Sequence, residues 1–165
     1  MIDTDRFAII ADIHGNIWAL EAVLEDIERR AVTQTINLGD SLLGPLAPVE
    51  TADRLIASNV MSISGNCDRV LHNPTPDEQE WLNYRYTIEQ LQPQHLAWLK
   101  RLPDTFENAH FYCCHGTPTS DDQPLLEDIT PQGVFLASSQ AIETRLVPQQ
   151  NENTKPVVEE NPRMR

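Results

Sequence analysis

The stretch Phe7-Ala8-Ile9-Ile10-Ala11-Asp12-Ile13-His14-Gly15-Asn16 decides the fold. Its first four residues form an apolar run of the length of a buried strand. Beyond it, Ile17, Leu20, Val23, Leu24 and Ile27 recur at helical spacing. An aspartate and a histidine, two apart, therefore sit where a strand hands over to a helix. In an open parallel sheet, ligands bind along that edge, outside the carboxyl ends of the strands. Alternate strand residues face the same way, so Asp12 and His14 are expected side by side. An oxygen donor and a nitrogen donor converging there begin a metal site.

The same pattern returns along the chain. A helix is expected from about Asn16 to Arg30, with Asn16 as its cap. Thr35-Ile36-Asn37-Leu38 reads as a second strand and ends in Gly39-Asp40. A loop from Ser41 to Pro48 leads to a helix over Val49 to Ala57. Val60-Met61-Ser62-Ile63-Ser64 reads as a third strand and ends in Gly65-Asn66-Cys67-Asp68. Strands alternating with helices imply parallel strands joined by right-handed crossovers, an α/β fold. Thr75-Pro76-Asp77-Glu78 is a helix start with a capping box, leading to a helix over Glu80 to Leu91. Pro93 opens a short helix that closes before Pro103. Ala109 to Cys114 reads as a fourth strand, ending in His115-Gly116, and Gln140 to Glu143 as helical.

Composition bounds what such a chain does. Its 165 residues are 40% hydrophobic and 22% charged, as in a soluble globule with one core. No apolar run approaches the ~20 residues of a membrane span. The start, Met1 to Arg6, lacks a basic, apolar leader, so a cytoplasmic location is expected. The net charge of −13 repels nucleic-acid phosphates, and there is no basic stripe. A small phosphorylated substrate stays open, because bound cations reverse the local field. Cys67, Cys113 and Cys114 suggest neither a disulfide framework nor a CxxC zinc knuckle. From Pro148 the chain turns polar. Residues 1–147 read as one domain and 148–165 as a disordered polar tail.

Together the strand ends supply Asp12, His14, Asp40, Asn66 and His115. Carboxylates, an amide oxygen and imidazoles suit Mn, Fe, Zn, Co or Ni better than Ca. A central Asp40 could bridge two ions. Such a pair, ~3.5–4 Å apart, lowers the pKa of a shared water and aims it at phosphorus.

Asp12-x-His14, Gly39-Asp40, Gly65-Asn66-x-Asp68 and His115-Gly116, in that order, closely resemble the calcineurin-like metallophosphoesterases. The resemblance covers Phe7 to Leu146 and looks most like the small bacterial phosphodiesterase-type members. It implies a four-layer α/β/β/α sandwich and two divalent transition-metal ions (Mn, Fe, Zn or Ni). It implies hydrolysis of phosphomono- or phosphodiesters with a metal-bound hydroxide as nucleophile. Carried over by residue, Asp12 and His14 bind one ion, Asp40 bridges, and Asn66 and His115 bind the other. Asn66 and Asn16 are the substrate-binding candidates. Asn66 and Cys67 are the catalytic candidates, Cys67 standing where many relatives have a histidine thought to protonate the leaving group. A thiol is a poorer acid for that task, which favours good leaving groups or diesters.

The family closes its site with a late Gly-His-x-His motif, and no histidine follows His115 here. The expectation is a truncated or frame-shifted chain, an incomplete second sheet and an exposed sheet edge. A partner, a second copy of the chain included, would cover that edge. The alternative function is a degenerate scaffold of the same fold that binds metal or partners with little catalysis. A regulatory protein phosphatase is disfavoured by the lack of a docking segment. A plain nucleotide-binding module is disfavoured by the lack of GxGxxG or GxxxxGK[ST].

Plainer readings stand beside these. Asp12 and Asp40 could be helix caps, and Asn66 a turn residue. His110 reads as structural, His95 as surface, and His72 as a loop residue beyond Asp68. Trp81, Tyr84 and Trp98 read as core. Asp121-Asp122 reads as a solvated turn.

Overall fold

The structure, a computed structural model, describes residues 6–108 and 111–147. Strand β1 (Phe7–Ile10) leads through α1 (Ile17–Arg29) to β2 (Gln34–Asn37). Helix α2 (Pro48–Ile56), strand β3 (Met61–Ser62) and helix α3 (Asn66–His72) follow. The strands form one parallel sheet in the order β1-β2-β3, with Ile9 opposite Ile36 and Ile36 opposite Met61. Parallel strands finish at one edge, so the residues after each strand gather there.

The local signals explain these elements. Asn16 caps α1 by accepting the Ala19 N–H at 3.1 Å, and Arg29 suits the last turn. Pro48 occupies the first turn of α2. The box at Thr75 forms, with Thr75 N–H to Glu78 Oε2 at 2.6 Å and Glu78 N–H to Thr75 Oγ1 at 3.3 Å. It starts only a 3-10 turn over Glu78–Glu80. Trp81 then takes extended backbone, and α4 runs from Leu82 to Gln90. Helix α5 (Pro93–Leu99) completes the layer.

The second half of the chain corrects the reading of its strands. The strand expected from Ala109 is β5 (Tyr112–Cys114), residues 109 and 110 lying outside the described ones. It is not a fourth parallel strand. It pairs antiparallel with β4 (Thr105–Glu107), a run too short to show a strand pattern. Strands β6 (Glu127–Thr130) and β7 (Gly133–Leu136) form a further antiparallel hairpin, and α6 (Ser139–Leu146) follows. The hairpin is mostly exposed, so it carries no alternating apolar face for a sequence to reveal. His110 and the polar tail expected over 148–165 lie outside the described residues.

Three apolar clusters bind the layers. Ile13, Leu20 and Leu55 join α1 and α2 to the end of β1. Leu42, Leu43, Ala52, Leu71, Leu91 and Leu99 fill the space among helices α2 to α5. Ile36, Ile63 and Cys113, with Phe106 and Phe111, seal the parallel sheet against the β4–β5 pair. Helices, sheet and second strand pair therefore stack as a mixed α/β sandwich. Helix α6 buries none of its residues.

Two side chains sit elsewhere than expected. His95 is not at the surface: it is fully buried, accepting the Gln92 N–H at 3.1 Å and reaching Asp53 of α2 at 3.1 Å. Those bonds satisfy both ring nitrogens, which is why a histidine can be buried there. Trp81 is exposed, because it precedes α4 in extended backbone. Tyr84 and Trp98 pack on the core as expected.

Leu99 tests this packing. Leu99→Ala is expected to cost about 3 kcal/mol in urea denaturation, because the site is fully buried. Leu82→Ala, in the mostly exposed first position of α4, is expected to change stability by less than about 0.5 kcal/mol.

Candidate metal centre

Two loops form the base of the centre, one after β1 and one after β2, and the start of α3 and the end of β5 complete it. Asp12 N–H donates to Gly39 O at 3.0 Å, His14 N–H to Asp40 O at 2.9 Å, and Gly15 N–H to Ser41 O at 2.9 Å. These bonds zip the loops together. Strand β1 has ended at Ile10, so strand alternation is not what aligns Asp12 with His14. Both take left-handed backbone, φ 55° and 48°, and Asp40 does too, at φ 57°. Each such residue costs of order 1 kcal/mol, and the inter-loop bonds offset it.

Glycines allow the close approach. Gly39 has φ 101°, and a Cβ on it would fall on the backbone of Gly65. A Cβ on Gly65 would fall on the Asp40 carboxylate. A side chain at either position would push these loops apart.

Asp40 is the hub. It is 4% exposed, and Oδ1 accepts the Cys67 N–H at 2.9 Å. His14 Nε2 lies 3.8 Å from Oδ2 and His115 Nε2 lies 3.6 Å from Oδ1. Asp12 Oδ1 is 3.7 Å from His14 Nε2, and Asn66 Oδ1 is 3.1 Å from His115 Nε2. All five residues expected as ligands thus meet in one place. Asp12, more than half exposed, and His14, less so, leave that side of the centre open to solvent.

Both imidazoles are held in one tautomer. His14 Nδ1 faces Leu43 O at 2.8 Å, and His115 Nδ1 faces Leu38 O at 2.8 Å. A carbonyl only accepts, so each Nδ1 carries the proton. Each Nε2 is therefore the ring nitrogen turned toward the carboxylates, the atom that would ligate a metal.

Two other residues of the Gly65-Asn66-Cys67-Asp68 run sit close by. Asp68 is fully buried and accepts Ser41 N–H at 2.9 Å and Gly65 N–H at 3.1 Å. Burial pushes its carboxyl up to about 6. It ties the start of α3 to the loop after β2. The sequence did hold the signal: an acidic residue three after a glycine cap marks a helix start. Residues 66–72 are that helix, so His72 is not in a loop. It stands about 9 Å along the helix from Asn66. Cys67 places Sγ within 4.8 Å of His14 and Asp40 donor atoms. Burial, then the Asp40 carboxylate, pushes its thiol far above the ordinary range. The Asn16 oxygen is committed to its cap, leaving the amide nitrogen. The Leu38 and Leu43 carbonyls were invisible in sequence, since any residue supplies one.

The donor set fits divalent cations. Donor atoms of Asp12, Asp40 and His115 also lie within 4.8 Å of one another. The buried Asp40 carboxylate has imidazoles, not a lysine or arginine, as its ion-pair partners among the described residues. A buried carboxylate with no permanently charged partner beside it is a setting in which a divalent cation would supply the compensating charge.

A sequence model of the calcineurin-like phosphoesterases matches residues 5–158. The chain belongs to that family. A metallophosphoesterase from Sphaerobacter thermophilus superposes with a TM-score of 0.58 at 32% identity, covering 72% of this chain and 49% of that one. A second solved structure, provisionally described as a diadenosine tetraphosphatase, gives a TM-score of 0.59 over 93% of this chain and 69% of its own. Its identity is 18%, which speaks to the fold alone. The uncharacterized protein MJ0912 of Methanocaldococcus jannaschii is 39% identical over 61 residues, 37% of this chain and 25% of that protein. The chain therefore spans about half the Sphaerobacter protein and a quarter of the archaeal one. Membership implies divalent metal ions, and these residues suit them.

Saturation with Mn²⁺ or Zn²⁺ at a hundredfold excess over Kd is expected to raise the melting temperature by roughly 5–10 °C. Asp40→Asn and Gly65→Ala are each expected to abolish that rise in differential scanning fluorimetry.

Proposed function

We propose that the chain is a divalent-metal-dependent phosphoesterase acting on small phosphomono- or phosphodiesters in the cytoplasm. One observation carries the reading: a buried carboxylate, Asp40, flanked by two imidazoles whose Nδ1 atoms are held by backbone carbonyls and whose Nε2 atoms lie 3.6 and 3.8 Å from it. Two divalent ions in this setting polarise a phosphoryl oxygen and acidify the attacking water. The chain's own residues do the rest. Asp12 and His14 would hold the first ion, Asp40 would serve both, and Asn66 and His115 would hold the second, with manganese, iron, zinc or nickel as the suited metals.

The roles of the other residues follow from their placement. Asn66 carries an oxygen toward His115; its amide nitrogen donates one N–H to Cys67 Sγ at 3.7 Å and has a second for a phosphoryl oxygen. The Asn16 amide nitrogen is a second anchor at the exposed side. Cys67 lines the centre as a neutral thiol, so little help comes from it in protonating a leaving group. That favours substrates whose leaving groups depart as anions. Divalent ions held there would offset locally the strong acidity of the whole chain.

A second reading keeps the fold and drops the chemistry. Among the described residues the centre holds two imidazoles, where the family pattern implies two more from a late motif. A scaffold that binds metal weakly would have such a centre.

The test is hydrolysis of bis-p-nitrophenyl phosphate and p-nitrophenyl phosphate by metal-stripped protein, with Mn²⁺ or Ni²⁺ restored. Metal-dependent turnover that Asp40→Asn lowers by more than about a hundredfold is expected, with the diester favoured. A folded protein that turns over neither ester with either ion would contradict the proposal and leave the scaffold reading.

A further inference from the structure

Asn66 and His115 come from distant parts of the chain, the start of α3 and the end of β5. Each is anchored separately to the loop after β2. Asp68 and the Cys67 N–H hold α3 to residues 40 and 41, and His115 Nδ1 is held by Leu38 O. What fixes α3 against the loop that follows His115 is a different contact. Arg69 Nε donates to Asp121 Oδ2 at 2.7 Å, and Arg69 Nη2 faces Oδ1 at 3.4 Å. Asp121 is thus not merely a solvated turn residue. It forms a two-pronged pair, and both side chains are about two-thirds buried.

The pair is well placed to act on the centre. Arg69 lies three residues after Asn66, on the same face of α3. Asp121 is coupled to His115 through a stiff turn. Thr117, nearly fully buried, donates its N–H to Ser120 O at 2.8 Å, and Ser120 N–H returns to Thr117 Oγ1 at 3.1 Å. Gly116, at φ 71°, lets Ser120 O pack where a Cβ would lie. A pull on Asp121 is therefore felt at His115 and a pull on Arg69 at Asn66.

We infer that the Arg69–Asp121 pair is a positioning strap that sets the separation of Asn66 and His115 and so the affinity of the ion they share. The inference rests on the metal reading above. A single ion pair still about one-third exposed to solvent adds little to overall stability. Metal–donor distances, in contrast, tolerate shifts of only about 0.2 Å. Loosening the strap therefore weakens one ion far more than it weakens the fold. Arg69 and Asp121 are positioning residues here, since neither is a metal ligand.

The experiment is calorimetric titration of the metal-stripped full chain with Mn²⁺, beside thermal melting. His115→Ala identifies which of two binding events depends on Asn66 and His115. Asp121→Asn and Arg69→Ala are expected to weaken that same event by about tenfold, leaving the other event and the melting temperature nearly unchanged. The exchanged pair, Arg69→Asp with Asp121→Arg, is expected to recover part of the loss. Equal weakening of both events, or of neither, would overturn the strap while leaving the metal centre standing. A wild-type chain that binds no Mn²⁺ would overturn the metal reading and the strap with it.

Discussion

The structure depends on one costly feature, a carboxylate at Asp40 that is buried with no lysine or arginine beside it among the described residues. Burying an ionised carboxylate is unfavourable unless charge or hydrogen bonds compensate it. Here the compensation comes from the Cys67 N–H and from two imidazoles, which is incomplete. The surroundings are built to keep that carboxylate in place regardless. Gly39 and Gly65 bring two backbones against it, and Asp68 ties the helix start to its loop. Left-handed residues at Asp12, His14 and Asp40 add further local strain. Strain and unbalanced charge concentrated at one sheet edge are what a cation-binding centre requires.

This explains which parts of the fold were legible in the sequence. The β1–α1–β2–α2–β3 half was readable, because its strands are apolar runs and each helix begins with a cap or proline, although β1 is not fully buried as its run suggests: Phe7 and Ile9 face out. The ordered strand ends were readable for the same reason: glycine beside Asp40, Asn66 and His115 marks a sharp turn. Strand β5 was readable too, but its antiparallel partner β4 and the β6–β7 hairpin were not. Strand β4 is only three residues long and the hairpin strands are mostly exposed, so neither leaves a period to detect. Helix α3 was hidden inside what read as a motif loop, although Gly65 and Asp68 announced its cap.

The ligand set was legible as residue types, while its geometry was not. Asp12 and His14 do meet, but through inter-loop hydrogen bonds and left-handed backbone rather than strand alternation. The fixing of each imidazole by a backbone carbonyl leaves no trace in residue identity. His95 misled for a related reason: a histidine at a helix start reads as surface until Gln92 and Asp53 are seen to satisfy it. Long-range polar partners are the part of a fold that a single sequence states least clearly.

The central claim is that one carboxylate, Asp40, is shared by two ions. Low-temperature electron paramagnetic resonance of the chain loaded with two equivalents of Mn²⁺ tests it most directly. A spin-coupled pair, lost in Asp40→Asn, is the predicted result. Resolved hyperfine lines of isolated Mn²⁺ at full loading would contradict it, since ions joined by one carboxylate cannot behave as independent spins.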